Sequence, residues 1–418
     1  MSFPLRRLEY VWHVVAMVVL TGSFVPLWRS VTADNLGLEG GDPLQRALLA
    51  VSYLGIVFIA AQVRSAATTA WRAKLIWLLL AWVVLSALWS LAPEITVRRA
   101  SSAILGVLYG LLLAVRYRPL TVLRMLGAAL AIVMVASLAV VLGFPELGIM
   151  GWPHVGSWQG VLFHKNALGR TSVLALVCFW ALWRADTPHR PLWSALGLLA
   201  LVLLVGSRSA TAVIVALALP VTWLTIKALM LRSLSLRAAA SSIGIASILT
   251  AMHVLTEYLE TAAGYFGRDV TLTGRVPLWT ALMRSGMERP FLGHGFGSYW
   301  YDGRGVSQTG LVMSWDAPHA HNGFIDLWLA IGLVGLVMAT ILLLGVIVRL
   351  MRGLYQQRSD HTMAFALMYM MFFVYANTTE SVLLESGLGK SIYWVVLAYV
   401  YFTYFTLPQA AEQRRRGG

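Results

Sequence analysis

Apolar residues are gathered into runs roughly as long as a helix that crosses a hydrocarbon core of about 30 Å at about 1.5 Å per residue. The short alternating segments of a membrane barrel are not the pattern. The periodicity predicts an all-α, polytopic membrane helical bundle of about 12 transmembrane helices, near 10–28, 46–62, 75–90, 100–115, 120–142, 167–183, 191–206, 209–226, 238–256, 322–348, 362–378 and 389–407. Residues 1–418 thus read as a single transmembrane domain with two long connections, 143–166 and 257–321. In the longer one, Val276, Trp279, Leu282 and Met283 recur at helical spacing. They predict an amphipathic helix from Val276 to Met287 lying on or against the bundle. The first run follows a short basic head, is span-length and lacks a small-residue cleavage pattern, so it reads as a retained helix.

Composition agrees with this class: 59% of residues are hydrophobic, 12% are charged and mean hydropathy is +0.73. Soluble domains carry about a quarter charged residues. Cys178 stands alone inside an apolar run, which excludes an intrachain disulfide and reads as packing. Loop charges set the orientation. With both termini cytoplasmic, that side collects 19 of the 32 basic residues and four of the 18 acidic ones, and the even-numbered loops follow the positive-inside bias. The net charge of +14 is thereby a topology signal, and nucleic-acid binding is not needed to explain it. Both long connections fall on the outer face.

Four polar features remain on that face. In GVLFHKNALGR, Lys165 and Asn166 stand at the entrance of the sixth span; an interfacial lysine reads either as a snorkelling anchor or as a ligand. In VGSRSAT, Arg208 occupies a tight turn where the positive-inside bias disfavours it. It reads as a cap on the seventh span's last carbonyls or as a guanidinium fork for phosphate. Arg275 stands in the first turn of the amphipathic helix, where a cation mildly opposes the helix dipole and so points to a ligand. The GHGFG run from Gly293 to Gly297 lacks the βαβ context of a dinucleotide loop and reads as a flexible turn. Finally, HAHNGFIDLWLAIGLVG places His319, His321 and Asn322 at the lip of an apolar segment. A histidine pair two apart is a weak metal signal, with only Asp316 and His294 nearby as further ligands, so no metal is expected.

HN followed after nine residues by Gly332 and then Gly335 resembles the signature of the O-antigen ligase and polymerase superfamily. WSLAPEITVRRA, FHKNALG, GSRSA and GRVPLW followed by PFLGHGFG occur in the matching order over roughly 85–345. The resemblance implies a metal-independent, GT-C-like membrane glycosyltransferase of the bacterial inner membrane. Its ligases move O-antigen polysaccharide from undecaprenyl diphosphate to lipid A-core at the periplasmic face, in lipopolysaccharide biosynthesis. Arg208 and Arg275 match the two arginine motifs and would hold the diphosphate leaving group. His321 matches the histidine position and would be general base or acceptor positioner, with Lys165, Asn166, His319 and Asn322 binding or orienting substrate. No cofactor is implied.

Two alternatives stay open. FHKNALG is also similar to exopolysaccharide polymerases, which would extend a lipid-linked glycan. A lipid-linked glycan transporter is a different class; it would need ionisable groups or broken helices near the bilayer midplane, and the span centres carry almost no charge.

Overall fold

The structure is a computed structural model that describes residues 3–25, 43–60, 64–231, 275–301, 319–357, 360–383 and 391–406, with scattered helical positions between 235 and 246. The chain runs through α1 (Phe3–Leu20), α2 (Pro43–Ala60), α3 (Arg64–Arg72), α4 (Lys74–Leu85), α5 (Pro93–Arg116), α6 (Pro119–Gly143), α7 (Lys165–Ala185), α8 (Arg190–Gly206) and α9 (Ala210–Leu229). It continues through α10 (Arg275–Glu288), α11 (Gly323–Gln356), α12 (His361–Thr379) and α13 (Ser391–Tyr401). Among the described residues the only strand pairing is one bridge, Ile149 to Trp158.

Every expected span except the ninth falls on one of these helices; 238–256 lies largely outside the described residues. Among the described residues six helices are long and apolar enough to cross a membrane, and the apolar stretches Ala47–Ile56, Lys74–Trp89 and Ser391–Thr406 are shorter. Starts and stops follow local chemistry. Proline, which needs no amide donor in the first turn, opens α5 at Pro93 and α6 at Pro119. Asp360 caps α12, its carboxylate accepting from the amides of Thr362 and Met363 at 2.9 Å each.

α7 is the most enclosed of the long apolar helices: 72% of its apolar stretch lies inside the protein, against 28% for those of Thr187–Gly206 and Ala210–Leu229. It packs against α6, α8, α9 and α12, while α5 lies along α13 and α11 along α12 and α4. At Gly110 a Cβ would stand 2.6 Å from the Tyr399 amide nitrogen, so only glycine lets α5 approach α13 this closely.

One end of the bundle is pinned by ion pairs. Arg116 meets Glu9 at 3.0 Å and Arg124 meets Asp186 at 2.9 Å, and Arg184 reaches the His361 ring. The 21 residues of α7 rise about 30 Å from that end to the mouth where the candidate site lies.

Candidate active site

The histidine segment enters α11 through a strained turn. Asn322 caps the helix, its Oδ1 accepting from the amides of Phe324 (3.0 Å) and Ile325 (3.2 Å). His321 takes φ +51°, a left-handed conformation unusual for a non-glycine residue. That turn, not an extended strand, brings the two imidazoles together with ring centres 4.1 Å apart, and the His321 amide donates to His319 Nδ1 at 3.1 Å.

The segment is fixed from two sides. The Ala320 carbonyl accepts from Trp279 of α10 at 2.8 Å, and its amide donates to Asp326 at 3.1 Å. Asp326 also accepts from the Trp300 indole at 2.7 Å and from the Ser381 hydroxyl. It therefore clasps the backbone between the histidines to the segment after α12.

That segment supplies a residue sequence reasoning missed. Asn377 Oδ1 accepts from the amides of Val382 (3.0 Å) and Leu383 (2.7 Å), bending the chain so that buried Glu380 faces both histidines. Glu380 Oε1 accepts from Asn166 Nδ2 at 3.0 Å. Its Oε2 lies 3.7 Å from Arg170 Nη1, 3.8 Å from His321 Nδ1 and 3.9 Å from His319 Nε2. Burial alone would push the carboxyl up, but the pull of His321, His319 and Arg170 is larger and holds it well below the usual carboxylate range. Arg170 is buried one turn beyond Asn166 on α7, its guanidinium 5.3 Å from the centre of the Tyr393 ring.

The same asparagine joins the other motifs. Asn166 Oδ1 accepts from Ser209 Oγ at 3.1 Å, and Lys165 Nζ lies 3.5 Å from the Arg208 carbonyl. FHKNALG, GSRSA and the histidine segment thus meet around Asn166 and Glu380. Arg208, at φ +49° and exposed, turns away from α8 and donates to the Val155 carbonyl at 3.4 Å. Its own amide donates to the Val205 carbonyl at 3.0 Å, so the backbone caps α8 from a left-handed position while the guanidinium reaches Val155. His164 caps α7 by accepting the Asn166 amide at 3.1 Å; burial, then the neighbouring His154 ring, lowers its pKa to about 4.

Arg275 opens α10, but its side chain lies outside the described ones. The helix packs Leu278 and Leu282 against Tyr299, Ala320, Ile325 and Leu329. Met283, expected on that face, points outward.

GHGFG is a turn, but a buried one with a task. α11 breaks at Ile331 and Gly332, the latter at φ +70°. The carbonyls of Leu329 and Ala330 accept instead from His294 (2.8 Å) and Gly295 (2.9 Å), while Phe296 donates to Ser86 Oγ and Leu91 to the His294 carbonyl. A broken helix at membrane depth needs such replacement partners. A Cβ on Gly332 would lie 2.0 Å from the Phe291 carbonyl, which accounts for glycine at this motif position.

His319, His321 and Glu380 place possible ligand atoms within 4.8 Å of one another. A cation there would share Glu380 with the Arg170 guanidinium, so the donor set suits proton transfer better than a divalent ion. An imidazole backed by a carboxylate, with lysine and arginine at the same mouth, can remove a proton from a hydroxyl while an anionic group departs nearby.

The chain is 28% identical over 275 residues to the exopolysaccharide production protein ExoQ of Rhizobium meliloti (strain 1021), covering 62% of this chain and 60% of that relative's length. Residues 192–340 match the family model described as O-antigen ligase, a stretch that holds Arg208, Arg275, the clamp at 289–297 and the HN motif. The resemblance read from the motifs is thus upheld: residues 192–340 of this helical, multi-pass membrane protein are similar to the O-antigen ligase family.

Proposed function

We propose that this protein is a glycosyltransferase of the bacterial inner membrane that transfers O-antigen polysaccharide from undecaprenyl diphosphate to lipid A-core at the periplasmic face. The observation that carries the reading is His321 held beside Glu380 at a mouth shared with Lys165 and Arg208. The acceptor hydroxyl oxygen attacks the anomeric carbon of the donor sugar. Its proton goes to His321 Nε2, since Nδ1 faces Glu380, whose charge stabilises the imidazolium. The bond from the anomeric carbon to phosphate oxygen breaks, and undecaprenyl diphosphate leaves with its charge met by Arg208, Arg275 and Lys165. His319 and Asn166 orient Glu380 and His321, while Asn322 acts as helix cap. Arginine and lysine supply the charge neutralisation, so chelator is expected to leave the rate unchanged.

A second reading, an exopolysaccharide or O-antigen polymerase, is favoured by the similarity to ExoQ, an exopolysaccharide production protein. The chemistry is the same and the acceptor differs. Tagged lipid-linked glycan, supplied to the reconstituted protein with lipid A-core or with further lipid-linked glycan, separates the two. Product on lipid A-core supports the ligase; longer lipid-linked chains alone would establish the polymerase. A transporter would form neither product in detergent.

A further inference from the structure

The steps above leave one ordered feature at the mouth unused. Residues 149–158 fold back as a hairpin, bridged at Ile149 and Trp158, with Met150 donating to the Ser157 carbonyl at 2.8 Å. Its anchors are the parts of the site that face the leaving group. Trp158 donates to the Gly206 carbonyl at 2.9 Å, Val155 accepts from Arg208 at 3.4 Å, and Met150 Sδ accepts the Lys165 amide at 3.4 Å. The His154 ring stands edge-on to His164, the cap of α7, at 5.2 Å. The hairpin is thus fixed relative to both Lys165 and Arg208.

Its tip carries Trp152, which at 87% is more exposed than any other large apolar side chain described. A tryptophan that anchors a protein in the bilayer interface belongs over lipid-facing helices. This one sits on a hairpin held on one side at Lys165 and His164, at the N-terminus of the enclosed α7, and on the other at Gly206 and Arg208, at the end of α8, so its anchors are shared with both cations of the mouth. The indole face carries negative quadrupole charge, and the C–H face of a pyranose offers the complementary positive edge.

We propose that Trp152 is a stacking platform for a pyranose ring of the donor glycan close to the diphosphate. This rests on the reading of a lipid-diphosphate glycan as donor. Arg208 and Lys165 bind what every donor shares, and Trp152 adds preference for a donor that carries sugar.

The test is the affinity of the full chain in nanodiscs for undecaprenyl diphosphate and for the glycan-linked form, taken as a ratio. The wild type is expected to favour the glycan-linked form, and Trp152→Phe to retain that preference. Trp152→Leu should lower it roughly two- to tenfold with affinity for the bare lipid diphosphate unchanged. A leucine variant with the wild-type ratio, an equal loss for both lipids, or no wild-type preference for glycan would each overturn the proposal. If the ratios behave as expected while the wild type transfers glycan to neither acceptor, the transfer reading fails and the platform stands.

Discussion

Glu380 decides how His321 can work, because among the described residues its carboxylate is the one acidic group placed at ion-pair distance from both histidines and Arg170. Glu380→Gln keeps an acceptor near Asn166 but removes the charge opposite the imidazolium. The transfer rate should fall roughly 10- to 100-fold, with a lower thermal midpoint because Arg170 is buried. Equal rates in a reconstituted assay would remove Glu380 from the chemistry. At Arg208, substitution by lysine keeps a charge and loses the fork, so donor KM should rise with both Arg208→Lys and Arg208→Ala, more for alanine. His164 gives a pH prediction. Its pKa falls from 6.5 to about 4 in the folded protein, so below 6.5 the unfolded chain binds the extra proton and stability declines as pH drops to about 4. Thermal unfolding across that window should be flatter for His164→Asn, whose side-chain oxygen takes the place of the capping ring nitrogen, than for the wild type. His321, Arg208, Lys165 and Asn166 were legible because they stand in motifs or against the positive-inside bias. Glu380 was not, since its partners come from residues 166–170 and 319–321, far away in sequence. Its one local signal is an acid at the end of an apolar helix followed at once by Val382 and Leu383.

Among the elements, α11 was legible as a run but not as a broken helix. Hydropathy averages over Gly332, and only the approach of Phe291 and the donors at His294 and Gly295 reveal the break. The same contacts show why GHGFG is a buried clamp where composition alone suggested a flexible turn. Gly332→Ala combines strain at positive φ with a backbone collision, so a loss of several degrees in thermal midpoint is expected. Gly345→Ala, in the same helix, would place its Cβ 3.6 Å from the Phe405 ring and is the control that should change little. Equal midpoints would show that the clamp tolerates a side chain there. The amphipathic α10 was predicted within a residue of its observed ends, because its apolar spacing is local.

For the whole molecule, loop charges predicted two faces, and the structure has two chemically distinct ends. Arg116, Arg124 and Arg184 are engaged at one, and the histidines, Glu380, Lys165 and Arg208 meet at the other. A bundle of antiparallel helices makes this possible, since every second connection returns to the same end and gathers residues from distant motifs. Polar chemistry at one end with apolar spans between them suits a donor whose lipid stays in the membrane and whose diphosphate and sugars lie at its surface. The central claim is tested most directly by the rate at which reconstituted His321→Ala moves tagged glycan from undecaprenyl diphosphate to lipid A-core, beside the wild type. The wild type is expected to transfer glycan and the variant, which remains folded, to lose roughly 100-fold or more; transfer by His321→Ala at the wild-type rate would remove His321 from the chemistry.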